Sequence, residues 1–297
     1  MRYVAAIDVG GTFIKAALVS ENLEIIEKSS TDTPKNDLTG EATATAIAEL
    51  VKAFESKHPV DAVGFAVPGA IDEVHGVVRW AGNLQWKNIP IRALVEKATH
   101  KPVAFKHDVR TGMVAEQRKG AAHGFNQSIF IPIGTGFAAA FVIDGEIRSS
   151  DGYAGEIGHV NVGGPRACVC GKSGCLEAIS SALAISNNYR EKSGKDLTSA
   201  EIVAAAEQGD ATAQEVWNEA VHFIGVAIEM LITTLAPEVI VFGGGVSKAG
   251  NSLLAPLEKY LDDRLTFQRR PALRIAHFGS DAGTIGCALI AFDRINS

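Results

Sequence analysis

Three glycine-rich turns in this chain each follow an apolar run: Asp8-Val9-Gly10-Gly11-Thr12, Gly134-Thr135-Gly136 and Gly243-Gly244-Gly245. Taken singly, such a turn is most simply the bend of a hairpin. Taken together, with a threonine hydroxyl in two of them, they read as a cradle of backbone N–H groups for phosphate. Neither G-x-x-x-x-G-K-[ST] nor G-x-G-x-x-G occurs at these turns, so the phosphate fold is of another kind. Asp8 ends the first apolar run, just ahead of the first loop. A carboxylate there can hold Mg²⁺ through water, as phosphoryl transfer requires. Lys15, seven residues on, either reaches phosphate or lies on an exposed face.

A second candidate is the run "GGPRACVCGKSGCLE" at 163–177, which holds three of the four cysteines. With His159 the spacing is H-x₈-C-x-C-x₄-C. No CxxC redox pair is present. Thiolates with one imidazole suit tetrahedral Zn²⁺, and His159, Cys168, Cys170 and Cys175 would fill all four positions. A closed site leaves no place for an activated water, so the expected zinc is structural. Cys287 is remote and reads as a core thiol. A third candidate is Asp108 in "VAFKHDVRTG", between a strand and a helix. From local sequence it is either a helix N-cap or a general base.

These groups need a scaffold, and the apolar pattern supplies one. Val4–Val9 and Ile14–Val19 read as a hairpin around the first glycines. Residues 41–57 place Ala46, Ile47, Leu50, Val51 and Phe54 at helical spacing. A strand at 62–67, a helix at 90–99 and a strand at 102–106 continue an αβ alternation. The pattern then repeats: strand, glycine turn and strand over 128–145, helices at 176–190, 199–208 and 211–235, a strand into three glycines at 238–247, and a closing helix from 281. The two hairpins read as corresponding features of two α/β units.

Composition narrows the class. With 297 residues, 46% apolar and 21% charged, the chain suits a globular protein of about two domains. The net charge of −6 argues against a nucleic-acid or anionic-membrane surface. The opening apolar run is short and broken by Asp8, unlike a signal peptide. No run of apolar residues approaches the roughly 18–20 that span a bilayer. The expected location is cytoplasmic, where thiols stay reduced and a disulfide is disfavoured.

The stretches "AAIDVGGTFIKAALV", "IPIGTGFAAAFVIDG" and "AGEIGHVNVGGPRACVCGKSGCLEA" resemble the ROK family of bacterial sugar kinases and repressors. The third follows that family's signature almost position by position, and the likeness runs from Ala5 to the closing helix. It implies a ribonuclease-H-like, actin-like α/β fold of two α/β domains with an ATP cleft between them. The smaller domain is expected at 1–110, closed by 285–297, and the larger at 111–284 with the cysteine loop. Repressors of the family carry a helix-turn-helix ahead of the first glycine loop. Here that loop begins by residue 10, so the kinase branch is expected.

The resemblance also implies roles. Asp108 becomes the general base that takes a proton from a sugar hydroxyl. Sugar contacts carry over to Asn83, in a run similar to N-L-x-W, to Glu156 and His159 in "GEIGH", and to Glu177. Gly69, in a Pro-Gly turn, would admit the ring close to the backbone. His107 stands where the family usually has Asn, and imidazole can still donate or accept a hydrogen bond. Gly10, Gly11 and Thr12 with Gly134, Thr135 and Gly136 would hold the phosphates, and Gly244 and Gly245 would border the adenosine. The expected reaction moves the γ-phosphate of Mg-ATP to the 6-hydroxyl of glucose. N-acetylmannosamine, N-acetylglucosamine, mannose and fructose are the alternative sugars. Phe13 stands where many ATP-dependent members have Lys, in a register similar to the actinobacterial polyphosphate-glucokinase subgroup, so polyphosphate is the alternative donor. A non-catalytic sugar sensor is the reading of a different class. Family members are commonly dimeric or tetrameric, so a homodimer or homotetramer is expected.

Overall fold

The computed structural model describes residues 1–296. In chain order it forms β1 (Tyr3–Val9), β2 (Phe13–Ser20), β3 (Ile25–Asp32), α1 (Glu41–Glu55), β4 (Ala62–Val67), β5 (Ala70–Asp72), β6 (Val77–Ala81), β7 (Trp86–Ile89), α2 (Ile91–Thr99), β8 (Val103–His107) and α3 (Asp108–Lys119). There follow β9 (Ser128–Pro132), β10 (Ala140–Ile143), β11 (Glu146–Arg148), α4 (Glu177–Ser180), α5 (Ala182–Ser193), α6 (Ser199–Glu207), α7 (Ala211–Leu235), β12 (Val239–Gly243), α8 (Asn251–Arg264), β13 (Ala272–Ile275) and α9 (Ala282–Asn296).

Contacts divide the chain into two compact units. The first holds residues 1–115, 149–154 and 281–296; the second holds 116–148 and 155–280. The segment 149–154 falls inside the range expected of the second domain, yet it packs with the first. Gly152, at φ 91°, lies against the backbone of Ile71 there, too close for a side chain.

Each unit is built on a five-stranded sheet of the same plan. The orders are β3-β2-β1-β4-β8 and β11-β10-β9-β12-β13. In both, the first strand pairs antiparallel with the second and parallel with the fourth. This repeated order is the ribonuclease-H-like, actin-like α/β fold, and the two hairpins are its corresponding features. The first unit adds a small β5-β6-β7 sheet. That sheet, β3, β11 and β13 were not read from the sequence. They are short or, in β3, "IIEKSSTD", mostly polar along an edge, where exposure replaces the apolar signal.

β1 is buried on both faces, which accounts for its unbroken apolar run. Ala5, Ile7 and Val9 join the core that includes Ile47, Phe54 and Val95 of α1 and α2. Val4 and Ala6 join Cys287, Ala288 and Ala291 of α9 on the other face. α9 approaches so closely that a Cβ at Gly64 would overlap the Cys287 carbonyl, and one at Gly286 the Thr111 carbonyl. Asp37 starts α1: its carboxylate accepts from the amides of Gly40 and Thr43 at 3.0 and 2.8 Å and from the Thr43 hydroxyl at 2.7 Å.

In the second unit the helix expected over 176–190 is two helices. Ser181 between them is extended (ψ 158°), and its hydroxyl accepts the Ala184 amide to start α5. α7 is 25 residues and, by length and composition alone, could cross a membrane. Polar residues interrupt it, so no long apolar run marks it in the sequence. Ile224, Ile228 and Ile232 of its inner face belong to the unit's core.

Candidate active site

The first glycine loop closes where β1 turns into β2. The Gly10 amide donates to the Phe13 carbonyl at 2.9 Å. Thr33 secures the loop from β3's end, donating its hydroxyl to the Gly10 carbonyl at 2.7 Å and its amide to the Thr12 carbonyl at 2.9 Å. Gly11 abuts Asn83: a Cβ on Gly11 would stand 3.2 Å from the Asn83 Cβ. The tertiary structure thus joins a loop residue to an expected sugar contact 72 positions away.

Asp8 and Lys15 are direct partners across the β1–β2 ladder. Cross-strand partners share a face, so exposed Lys15 stands on the side of Asp8. Burial, reinforced by the nearby Asp108 carboxylate and opposed by Lys15, pushes the Asp8 carboxyl up to about 6. Two neighbouring carboxylates that raise one another favour a bound cation, and Asp8 fits a Mg²⁺ held through water.

Asp108 is the first residue of α3, directly after β8. One of its oxygens accepts the Val109 amide at 2.7 Å and lies 3.2 Å from His107 Nδ1. His107 is buried, while the Asp108 side chain is 36% exposed, so the carboxylate stays reachable. Gly69 has a structural reason of its own. Its φ is 103°, and a Cβ there would meet the Trp80 carbonyl and the Ala81 backbone, so chain packing alone demands glycine.

The second unit gathers another set. Gly134 donates its amide to the Gly136 carbonyl at 3.1 Å, and Ala182 donates to the Gly134 carbonyl at 2.8 Å. Glu177 accepts the Phe137 amide at 2.9 Å, and a Cβ on Gly136 would stand 2.9 Å from the same carboxylate. Gly158 backs onto the Phe137 carbonyl and the Glu177 Cβ, which brings the Glu156–His159 loop to this place. Thr135, Gly136, Glu177, Ser181 and Arg166 line one open pocket. Val246 donates to the Ile133 carbonyl at 3.1 Å, so the Gly244-Gly245 turn sits beside the start of the Gly134 loop. Nothing lies within 4 Å of a Cβ built on Gly134 or Gly245, which leaves both backbones approachable.

The ligand atoms of His159, Cys168, Cys170 and Cys175 all lie within 4.8 Å of one another. Cys168 Sγ is 3.6 Å from His159 Nδ1, and Cys170 Sγ is 3.6 Å from Cys175 Sγ. A tetrahedron with Zn–S and Zn–N bonds of about 2.3 and 2.0 Å has edges of roughly 3.5–3.8 Å, so the set fits. Burial, with Cys170 and Cys168 alongside, pushes the Cys175 thiol up to about 12. A central cation would offset that penalty and turn the thiols into ligands. Glu73, Lys106 and Arg110, beside the Asp108 turn, were not foreseen. No local motif marks them, because Glu73 reaches this turn only through folding.

The sequence pattern of the ROK family matches residues 4–294. The glucokinase of Halalkalibacterium halodurans is 34% identical over 100% of this chain and 97% of its own length. The crystal structure of a ROK hexokinase from Thermus thermophilus is 30% identical with a TM-score of 0.79, covering 99% of each chain. That of a ROK family glucokinase from Streptomyces griseus, in complex with glucose and AMPPNP, is 28% identical with a TM-score of 0.86, over 98% of this chain and 99% of that one. Matched along nearly its whole length in sequence and in structure, the chain belongs to the ROK family.

Proposed function

We propose that this protein is an ATP-dependent glucokinase. The observation that carries the reading is the cluster of Asp8, Gly10–Thr12, Asn83 and Asp108 in the first unit, in a chain that follows a glucose- and AMPPNP-bound glucokinase end to end. Asp108 accepts the proton of the sugar 6-hydroxyl as that oxygen attacks the γ-phosphorus. The bond from phosphorus to the β,γ-bridging oxygen breaks, and ADP leaves. Asn83, His107, Glu156, His159 and Glu177 hold the sugar hydroxyls with paired donors and acceptors. The amides of Gly10–Thr12 and Gly134–Gly136 hold phosphate, Lys15 adds positive charge, and Gly244 and Gly245 border the adenosine. Mg²⁺ near Asp8 would offset charge on the β- and γ-phosphates. Zn²⁺ on His159, Cys168, Cys170 and Cys175 would fix the loop between Glu156 and Glu177 without doing chemistry.

The test is formation of the sugar phosphate from glucose, mannose, fructose, N-acetylglucosamine and N-acetylmannosamine, with ATP and then polyphosphate as donor. The highest kcat/KM is expected for glucose with ATP. A higher value for an N-acetylhexosamine would overturn the sugar assignment. No turnover with any pair would favour the non-catalytic sugar sensor.

A further inference from the structure

One carboxylate holds the residues on both sides of Asp108. Glu73 Oε2 accepts Lys106 Nζ at 2.7 Å. Glu73 Oε1 accepts the His107 amide at 3.2 Å and Arg110 Nε at 2.6 Å. The Thr111 hydroxyl donates to the His107 carbonyl at 2.7 Å. The peptide that presents Asp108 is therefore gripped at 106, 107 and 110 by one side chain.

Glu73 is itself on a stiff turn. Asp72, next to it, accepts the His75 amide, His75 Nδ1 and Arg79 Nη2, each at 3.0 Å, and Gly76 donates its amide to the Asp72 carbonyl at 2.9 Å. Burial raises the Glu73 carboxyl, but the Lys106 and Arg110 cations outweigh it and hold the group below its ordinary value. It is thus an anion throughout the neutral range.

Arg110 is costly where it lies. Its side chain is 1% exposed. Nη1 reaches the Ala154 carbonyl at a long 3.5 Å, and buried Nη2 has no hydrogen-bond partner among the described residues. A buried ion pair with an unspent donor is a weak source of stability, and an uncharged pair of similar volume often serves as well. A fold needing only packing here has no use for these charges. A turn that must hold a carboxylate in one orientation does, because reaction rates fall steeply with small misplacements.

We propose that Glu73 and Arg110 are positioning residues for Asp108, setting the orientation of the proton acceptor rather than touching the substrate. The proposal rests on Asp108 being the general base. The test is steady-state kinetics of Glu73→Gln, Asp108→Asn and the double variant. Glu73→Gln is expected to lower kcat about 10–100-fold while both KM values stay within about threefold. In the Asp108→Asn background the same change should alter the residual rate by less than about twofold, because both act through one group.

Should Glu73→Gln fail to fold with Arg110 left unpaired, Glu73→Gln/Arg110→Met removes both charges and carries the same expectation. A folded variant with wild-type kcat, or full multiplication with Asp108→Asn, overturns the proposal. Near-normal turnover in Asp108→Asn alone instead overturns the base assignment, so the two failures are told apart.

Discussion

Glu177 accepts the backbone amide of Phe137 at 2.9 Å, so the residue two places after Cys175 grips the end of the Gly134–Gly136 loop. The cysteine loop and the Gly134–Gly136 loop are therefore one mechanical piece. Glu177→Ala should free that amide, loosen the loop and lower kcat/KM for ATP as well as for sugar. A hydrogen bond to a charged group contributes about 1.5–3 kcal/mol, equivalent to roughly 10–150-fold. Glu177→Gln keeps an acceptor and should lose less. Kinetics with each substrate varied in turn check this; a defect confined to sugar KM would break the link.

The same connection bears on the proposed zinc site. Chelation, or Cys170→Ala, should empty the proposed zinc site, weaken sugar binding most and weaken nucleotide binding to a lesser degree through Glu177. Metal analysis followed by calorimetric titration with glucose and with a non-hydrolysable ATP analogue checks it on folded protein. Unchanged sugar affinity in the zinc-free form would refute it.

Asp108→Asn keeps the shape of the side chain and removes the proposed proton acceptor. Turnover should fall about 10²–10⁴-fold, the range of general base catalysis. Glucose affinity, measured by titration, should stay within about threefold.

Asp37 should make α1 sensitive to acid. Burial raises its carboxyl, but the bonds from Thr43, Ala42 and Gly40 outweigh burial and hold it below its ordinary value. A depressed carboxyl adds stability above its unfolded pKa, and that stability is lost as pH falls through the folded value. Asp37→Ala should cost about 1 kcal/mol at neutral pH. The difference from wild type should shrink as pH falls below about 4, followed by denaturant titration across that range.

Gly64→Ala should destabilise the first unit although both residues are small and apolar. The added methyl would overlap the Cys287 carbonyl, which is backbone and cannot swing aside. Overpacking of this kind costs about 1–3 kcal/mol, read as a lower Tm. An unchanged Tm would mean that α9 shifts freely on β4.

Much of this was legible because the signals are local. Val4–Val9 reads as a strand since both faces of β1 are buried. His159 and the three cysteines lie within 17 positions of one another, so their types and spacing already describe a ligand set that the fold brings within 4.8 Å. The α4–α5 break at Ser181 was not legible, because apolar periodicity continues across it while one extended residue redirects the chain.

By itself the sequence determined the α/β class, the glycine loops, the thiol cluster and the family, since each depends on residue types at short spacing. The tertiary structure alone decided which distant residues meet: Gly11 with Asn83, Asp8 with Asp108, Glu177 with Phe137, and Glu73 with Arg110. Burial and electrostatics at those meetings depend on neighbours from other elements. That is why the shift of Asp8 to about 6 and the three-point grip of Glu73 on the Asp108 turn exist only in the folded chain.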